Sequence, residues 1–151
     1  MSDKLVKMFS TWFYIGNIPG APGTVASAAG ALLAIIVSSN TVLYVLIVGA
    51  VTLLGFQVCG QMEKILGRKD PGCIVIDEVA GMMVAFFLLP LNAAVIVTAV
   101  FLFRAFDMFK IYPVNKFEQW EGAAGVMADD LIAGAYTNIV MQVAVRWAGV
   151  I

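Results

Sequence analysis

"VAGMMVAFFLLPLNAAVIVTAVFLF" runs from Val79 to Phe103 without a single charge. As one helix it is long enough to cross a bilayer, which takes about 20 apolar residues. Pro90 and Asn92 sit in its middle. Proline lacks the backbone donor that a helix interior needs, and asparagine favours a turn. The stretch therefore reads as two helices joined by a tight connection. The choice matters because a single span scatters the acidic residues over both membrane faces, whereas a hairpin gathers them on one.

Other breaks appear on either side of this stretch. "SSN" at Ser38 to Asn40 divides a short apolar helix, about 24–37, from a long one, about 41–66. "RKDPG" at Arg68 to Gly72 is a second turn and "PLN" at Pro90 to Asn92 a third. The helices between and beyond them fall at about 73–89 and about 93–112, the latter stopping at Pro113. A polar connector, "VNKFEQWEGAAG", then leads to a fifth helix at about 126–148.

Composition agrees with this outline. The chain is 62% hydrophobic and 13% charged, against about 45–50% and about 25% for a soluble domain. Its mean hydropathy is +0.95. The expected fold is all-α: one domain over residues 1–151, a membrane-embedded bundle of about five helices. Lys4 to Ile15 is expected to lie on the membrane surface as an amphipathic segment, with Trp12 and Tyr14 as interfacial anchors. Ala26-Ser27-Ala28 imitates a signal-peptide cleavage site, but Gly16, Pro19 and Pro22 break the hydrophobic run that a signal requires.

Much chemistry is excluded. A net charge of −1 offers no field for nucleic acid. The chain has no histidine, so a Ser-His-Asp triad and a His-ligated zinc are out. Cys59 and Cys73 match no metal or redox spacing, and neither is followed six positions later by the arginine of a cysteine-phosphatase loop. Catalysis must rest on carboxylates, hydroxyls, Lys, Arg, backbone amides and a borrowed ion.

With the hairpin in place, one side of the bundle collects the 16–24 loop, the turn at 68–72, Asp77, Glu78, Arg104, Asp107, Lys110, Asp129 and Asp130. Arg146 alone among the nine Lys and Arg falls on the other side. The positive-inside rule makes the crowded side cytoplasmic. Glu78 lies seven residues past Pro71, about 10 Å along a helix at about 1.5 Å per residue. Asp107 lies six residues before Pro113, about 9 Å by the same measure. Asp129 and Asp130 begin the fifth helix, followed by Ala133 and Gly134, which permit close approach of a neighbour.

Singly, each of these residues has a bland reading. Acids near helix N-termini complement the macrodipole, and Arg104, Asp107 and Lys110 form a possible ion-pair ladder. Together at one depth they need more. A charge in a membrane helix costs about 2.5–3.5 kcal/mol, and Arg104 and Lys110 cannot offset Asp77, Glu78, Asp107, Asp129 and Asp130. A divalent cation would complete the balance, and carboxylate oxygens suit Mg²⁺.

The remaining feature is "GNIPGAPGT", Gly16 to Thr24. Taken alone, it reads as a turn leading the chain into the membrane. Beside the acids, it reads as a phosphate cradle, with Thr24 as helix N-cap and glycines that let backbone amides reach a ligand.

"GNIPGAPGT", "IVIDEVAGM", "FRAFDMFKIYP" and "GVMADDLIAG" occur in this order. Their order and spacing resemble the phosphatidylglycerophosphatase A family, bacterial Mg²⁺-dependent lipid phosphatases. The resemblance covers about Tyr14 to Tyr136. It implies an all-helical, often membrane-embedded fold that removes the terminal phosphate from phosphatidylglycerophosphate. The family's acidic positions match Asp77, Glu78, Asp107, Asp129 and Asp130, and its basic positions Arg104 and Lys110. Its loop positions match Gly16, Pro19, Pro22, Gly23, Thr24 and Ser27. Ala26, Ile111 and Ala123 depart from the usual residues without removing a charge.

The function expected is that of a multi-pass enzyme of the bacterial inner membrane with its site facing the cytoplasm. The carboxylates would hold Mg²⁺, while Gly23, Thr24, Ser27, Arg104 and Lys110 take the phosphate. The nucleophile is either water or one of the aspartates. Two other readings are a metal-dependent phosphatidyltransferase, whose Asp-Gly…Ala-Arg spacing is missing, and a small divalent-cation carrier. The carrier would need polar groups continuing through the apolar layer, where mainly Ala, Val, Leu and Phe stand.

Overall fold

A computed structural model of the chain describes residues 1–109, 112, 120, 122–147 and 149. Lys110, Pro113 and most of the polar connector lie outside the described residues. Among the described residues there are six α-helices and no strand: α1 Asp3–Ser10, α2 Pro22–Val37, α3 Thr41–Leu66, α4 Ile76–Phe86, α5 Ala93–Phe109 and α6 Ala123–Arg146. A short 3₁₀ turn at Ile15–Asn17 precedes α2.

The charge-free stretch is a hairpin. α4 ends at Phe86, Leu88 has φ 55°, and α5 starts at Ala93. Asn92 caps α5 by accepting the Val95 N–H on its Oδ1 at 2.9 Å. The loose carbonyls at the end of α4 are taken up by α6. Asn138 donates to the carbonyls of Ala85 and Phe87 at 3.0 and 2.7 Å, and Gln142 to Phe87 at 3.1 Å. Arg146, the cation expected on the far side, donates to the carbonyl of Leu88 at 3.0 Å. These bonds satisfy carbonyls that a helix end leaves open.

α4 is the axis of the bundle. Ile76, Val79, Ala80, Met82, Met83 and Ala85 are all fully buried. A helix that is apolar on every side belongs in the interior, and α4 packs chiefly against α6 and α2. The approach to α6 is backbone on backbone: a Cβ on Gly81 would lie 2.5 Å from the carbonyl oxygen of Asp130, and one on Gly134 would strike Gly81. Only glycine fits both positions, and the contact fixes α4 and α6 at the level of the acids.

α3 is the one helix among the described residues long and apolar enough to cross a membrane. Its 26 residues span about 39 Å at about 1.5 Å per residue. Val42, Leu46 and Leu53 project from it exposed, as do Leu32 and Ile36 from α2 and Phe101 from α5. So broad an apolar exterior suits lipid rather than water. α4, with eleven residues, is about 16 Å long and too short to cross the roughly 30 Å hydrocarbon core.

Several expected boundaries move, each for a local reason. α2 starts at Pro22, so its N-cap is Ala21 and Thr24 is not a cap but a first-turn residue. Proline pre-set at N1 fixes that start. α4 starts at Ile76 rather than near Cys73, because the Val75 N–H leaves the helix path and donates to the Ser10 carbonyl at 2.9 Å. Glu78 therefore sits in the first turn of its helix, not about two turns along it. α6 begins at Ala123, which puts Asp129 and Asp130 about two turns into it rather than at its start.

The amphipathic segment is a helix only to Ser10. Thr11 then donates its hydroxyl to the Lys7 carbonyl at 2.7 Å and accepts the Tyr14 N–H at 3.1 Å. That local alternative to the helix ladder turns the chain through left-handed Trp12, Phe13 and Tyr14. Val6 is buried and α1 packs on α3. Phe13 and Tyr14 are exposed, while Trp12 is half-buried and lies edge-on to Phe13 at 5.5 Å.

Candidate active site

Glu78 is the meeting point. Its carboxylate lies against Gly23, where any Cβ would collide with Oε1. The same Oε1 accepts from Arg104 Nη1 at 3.0 Å, and that nitrogen also donates to Asp107 Oδ2 at 2.8 Å. Three separate motifs, on α2, α4 and α5, thus converge on one carboxylate. Arg104 and Asp107 are three apart and share a helix face, so the ladder reading of this pair holds. It extends across helices to Glu78.

Asp77 and Asp130 are buried, and Asp129 is buried beside them. Asp130 donates its backbone N–H to Asp129 Oδ1 at 3.1 Å. The Gly81–Gly134 approach holds α6 against α4 and leaves these aspartates within electrostatic reach of Asp77. Asp77 Oδ1, Glu78 Oε2 and Asp130 Oδ1 are buried and have no hydrogen-bond partner among the described residues. Buried polar atoms are ordinarily satisfied, and a buried carboxylate oxygen is costly to leave alone.

This donor set fits a hard divalent cation: oxygen ligands only, buried, with atoms unused. Among the described residues no three acids are already gathered close enough to hold an ion as they stand.

Of the phosphate residues, Gly23 and Thr24 lie at the N-terminal turn of α2. The first intrahelical donor after Pro22 is Val25, to the Ala21 carbonyl at 3.3 Å, so the amides of Gly23 and Thr24 stand ahead of the ladder at the positive end of the helix. Thr24 is exposed. Ser27 is fully buried and donates its hydroxyl to the Gly23 carbonyl at 2.8 Å. It braces the turn from behind. Lys110 falls outside the described residues. Gly81 shapes the site without having been singled out in the sequence. Gly81 sets the α4–α6 approach, and Gly16 lies against the Cys73 carbonyl. The available signal for Gly81 was a glycine inside a helix, which costs about 1 kcal/mol relative to alanine and so asks for a packing reason.

Comparison with known proteins points to one family. The family model for phosphatidylglycerophosphatase A matches residues 8–145. The chain is 33% identical to phosphatidylglycerophosphatase A of Haemophilus influenzae over 146 residues, covering 94% of this chain and 90% of the relative. It is 36% identical to the Escherichia coli protein of the same name, covering 89% and 83%. It is also 36% identical to a putative phosphatidylinositol-3-phosphatase of Bacteroides thetaiotaomicron, covering 93% and 92%. No solved structure matches the chain.

Proposed function

The chain belongs to the phosphatidylglycerophosphatase A family, and we propose that it hydrolyses the terminal phosphomonoester of phosphatidylglycerophosphate with Mg²⁺ at the cytoplasmic membrane face. As a member of that family it is a phosphoric monoester hydrolase. The observation that carries the reading is the wedging of the Glu78 carboxylate between Gly23 and Arg104. It joins the loop, the acids and the cation at one point.

Asp77, Glu78 and Asp130 would hold the ion through their unpartnered oxygens, with Asp107 and Asp129 adjoining. When bound, Mg²⁺ supplies Lewis-acid polarisation of the phosphoryl group and a more acidic water. The chain's own residues do the rest. Arg104 keeps Nη1 on Glu78 and Asp107, and its other N–H groups would serve the phosphoryl oxygens. The amides of Gly23 and Thr24 orient the phosphate at the start of α2. In the net reaction an oxygen from water bonds to phosphorus, the bond to the glycerol oxygen breaks, and that oxygen leaves with a proton. The apolar exterior lets the protein meet its substrate within the membrane, where the headgroup reaches the acids.

The inositol lipid phosphatase among the relatives sets the competing substrate. The test is phosphate release by the purified protein from phosphatidylglycerophosphate, phosphatidylinositol 3-phosphate and phosphatidic acid in matched micelles. The proposal expects the highest kcat/KM on the first. A higher value on the inositol lipid would reassign the headgroup, and no release from any of the three would overturn the reading.

A further inference from the structure

An apolar cavity of about 420 Å³ lies between α3, α4 and α6, walled by Tyr44, Val48, Val84, Phe87 and Ala135. We propose that it holds one acyl chain of the lipid whose phosphomonoester sits at the acids. This rests on the phosphatase reading above and adds to it the site that takes the substrate's tail.

Register is the first argument. Val84 is seven residues beyond Asp77 and Phe87 ten, while Ala135 is five beyond Asp130. At about 1.5 Å per residue the cavity therefore runs from about 7 to about 15 Å beneath the carboxylates. That depth is within reach of an acyl chain hanging from a headgroup held at the acids. Positions seven apart share a helix face, so Val84 stands under Asp77 rather than around the helix from it.

The lining is the second argument. Two of its residues carry polar groups, and both turn them away. Tyr44 donates its hydroxyl to the Met83 carbonyl at 2.6 Å, and Asn138 gives its amide to the carbonyls of Ala85 and Phe87. What faces the cavity is ring and hydrocarbon. Size is the third. One turn of helix, about 10 Å across and about 5.4 Å long, already fills this volume, so a partner helix does not fit lengthwise. An alkyl chain does.

The test compares dipalmitoyl with dibutyryl phosphatidylglycerophosphate in wild type and in two separate cavity-filling variants, Ala135→Phe and Val48→Phe, each shown to be folded in detergent. Filling the cavity is expected to lower the ratio of kcat/KM for long over short chains by about tenfold, the loss of roughly two buried methylenes. An unchanged ratio in both variants would overturn the proposal. A second readout needs no turnover: a phosphatidylglycerophosphate with a mid-chain diazirine is photolysed on the wild-type protein. Labelling on peptides of α3, α4 and α6 that fades in the filled variants supports the cavity. Labelling spread over all exposed helices and unaffected by the variants rejects it. If wild type hydrolyses neither lipid, the phosphatase reading fails while the photolabel still decides the cavity.

Discussion

Gly23 and Glu78 are in direct contact: the space a Cβ would take at residue 23 is occupied by the Glu78 carboxylate. The obstacle is the far end of a flexible side chain, so a substitution at 23 displaces the carboxylate rather than the fold. Gly23→Ala is expected to yield folded protein with near-normal melting in detergent. Its turnover should fall on the order of a hundredfold, the effect of moving a site group by about 1 Å. Normal turnover in folded Gly23→Ala would separate the loop from the site.

The α4–α6 contact behaves differently. At Gly134 a Cβ meets the Gly81 backbone, which cannot swing aside. Gly134→Ala should therefore destabilise by about 1–3 kcal/mol, the range for forced overpacking. The check is thermal unfolding in detergent, with an unchanged melting temperature counting against the close approach.

Asp130 and Asp77 each bring to the site a buried oxygen that has no partner among the described residues. Asp130→Asn and Asp77→Asn keep the shape and remove a negative charge. Each is expected to raise the Mg²⁺ concentration for half-maximal phosphate release by tenfold or more, since each removes a charged ligand. An unaltered Mg²⁺ response in both variants would take these aspartates out of the ion site.

The sequence made the helical outline readable wherever a break carries its own chemistry. Pro90 and Asn92 marked the hairpin, and Asn40 and Gly67 bound α3 at its expected ends. The start of α4 was hidden because Cys73 to Val75 are as apolar as the helix itself. What stops the helix there is a bond from Val75 to Ser10, more than sixty positions away. Thr24 looked like a cap from its side chain, but Pro22 at N1 set the start earlier. For the same reason, the acids were identifiable by type and their grouping by side, but not the pairing of Gly23 with Glu78 or of Gly81 with Gly134. Those are tertiary contacts between residues 55 and 53 positions apart.

Orientation is open to direct measurement. The Lys and Arg distribution predicts that the acid side faces the cytoplasm. In a background lacking Cys59 and Cys73, a cysteine at Arg68 should be shielded from an impermeant thiol reagent in intact cells, and one at Asn40 should react. The reverse pattern would invert the topology.

The central claim is that the buried carboxylates of α4 and α6, with half-buried Asp107 on α5, serve a metal-dependent lipid phosphatase. Phosphate release from phosphatidylglycerophosphate by purified protein, first in excess chelator and then with Mg²⁺ restored, tests it most directly. The account expects release to fall to background in chelator and to return on addition of Mg²⁺. Full turnover in excess chelator would contradict it.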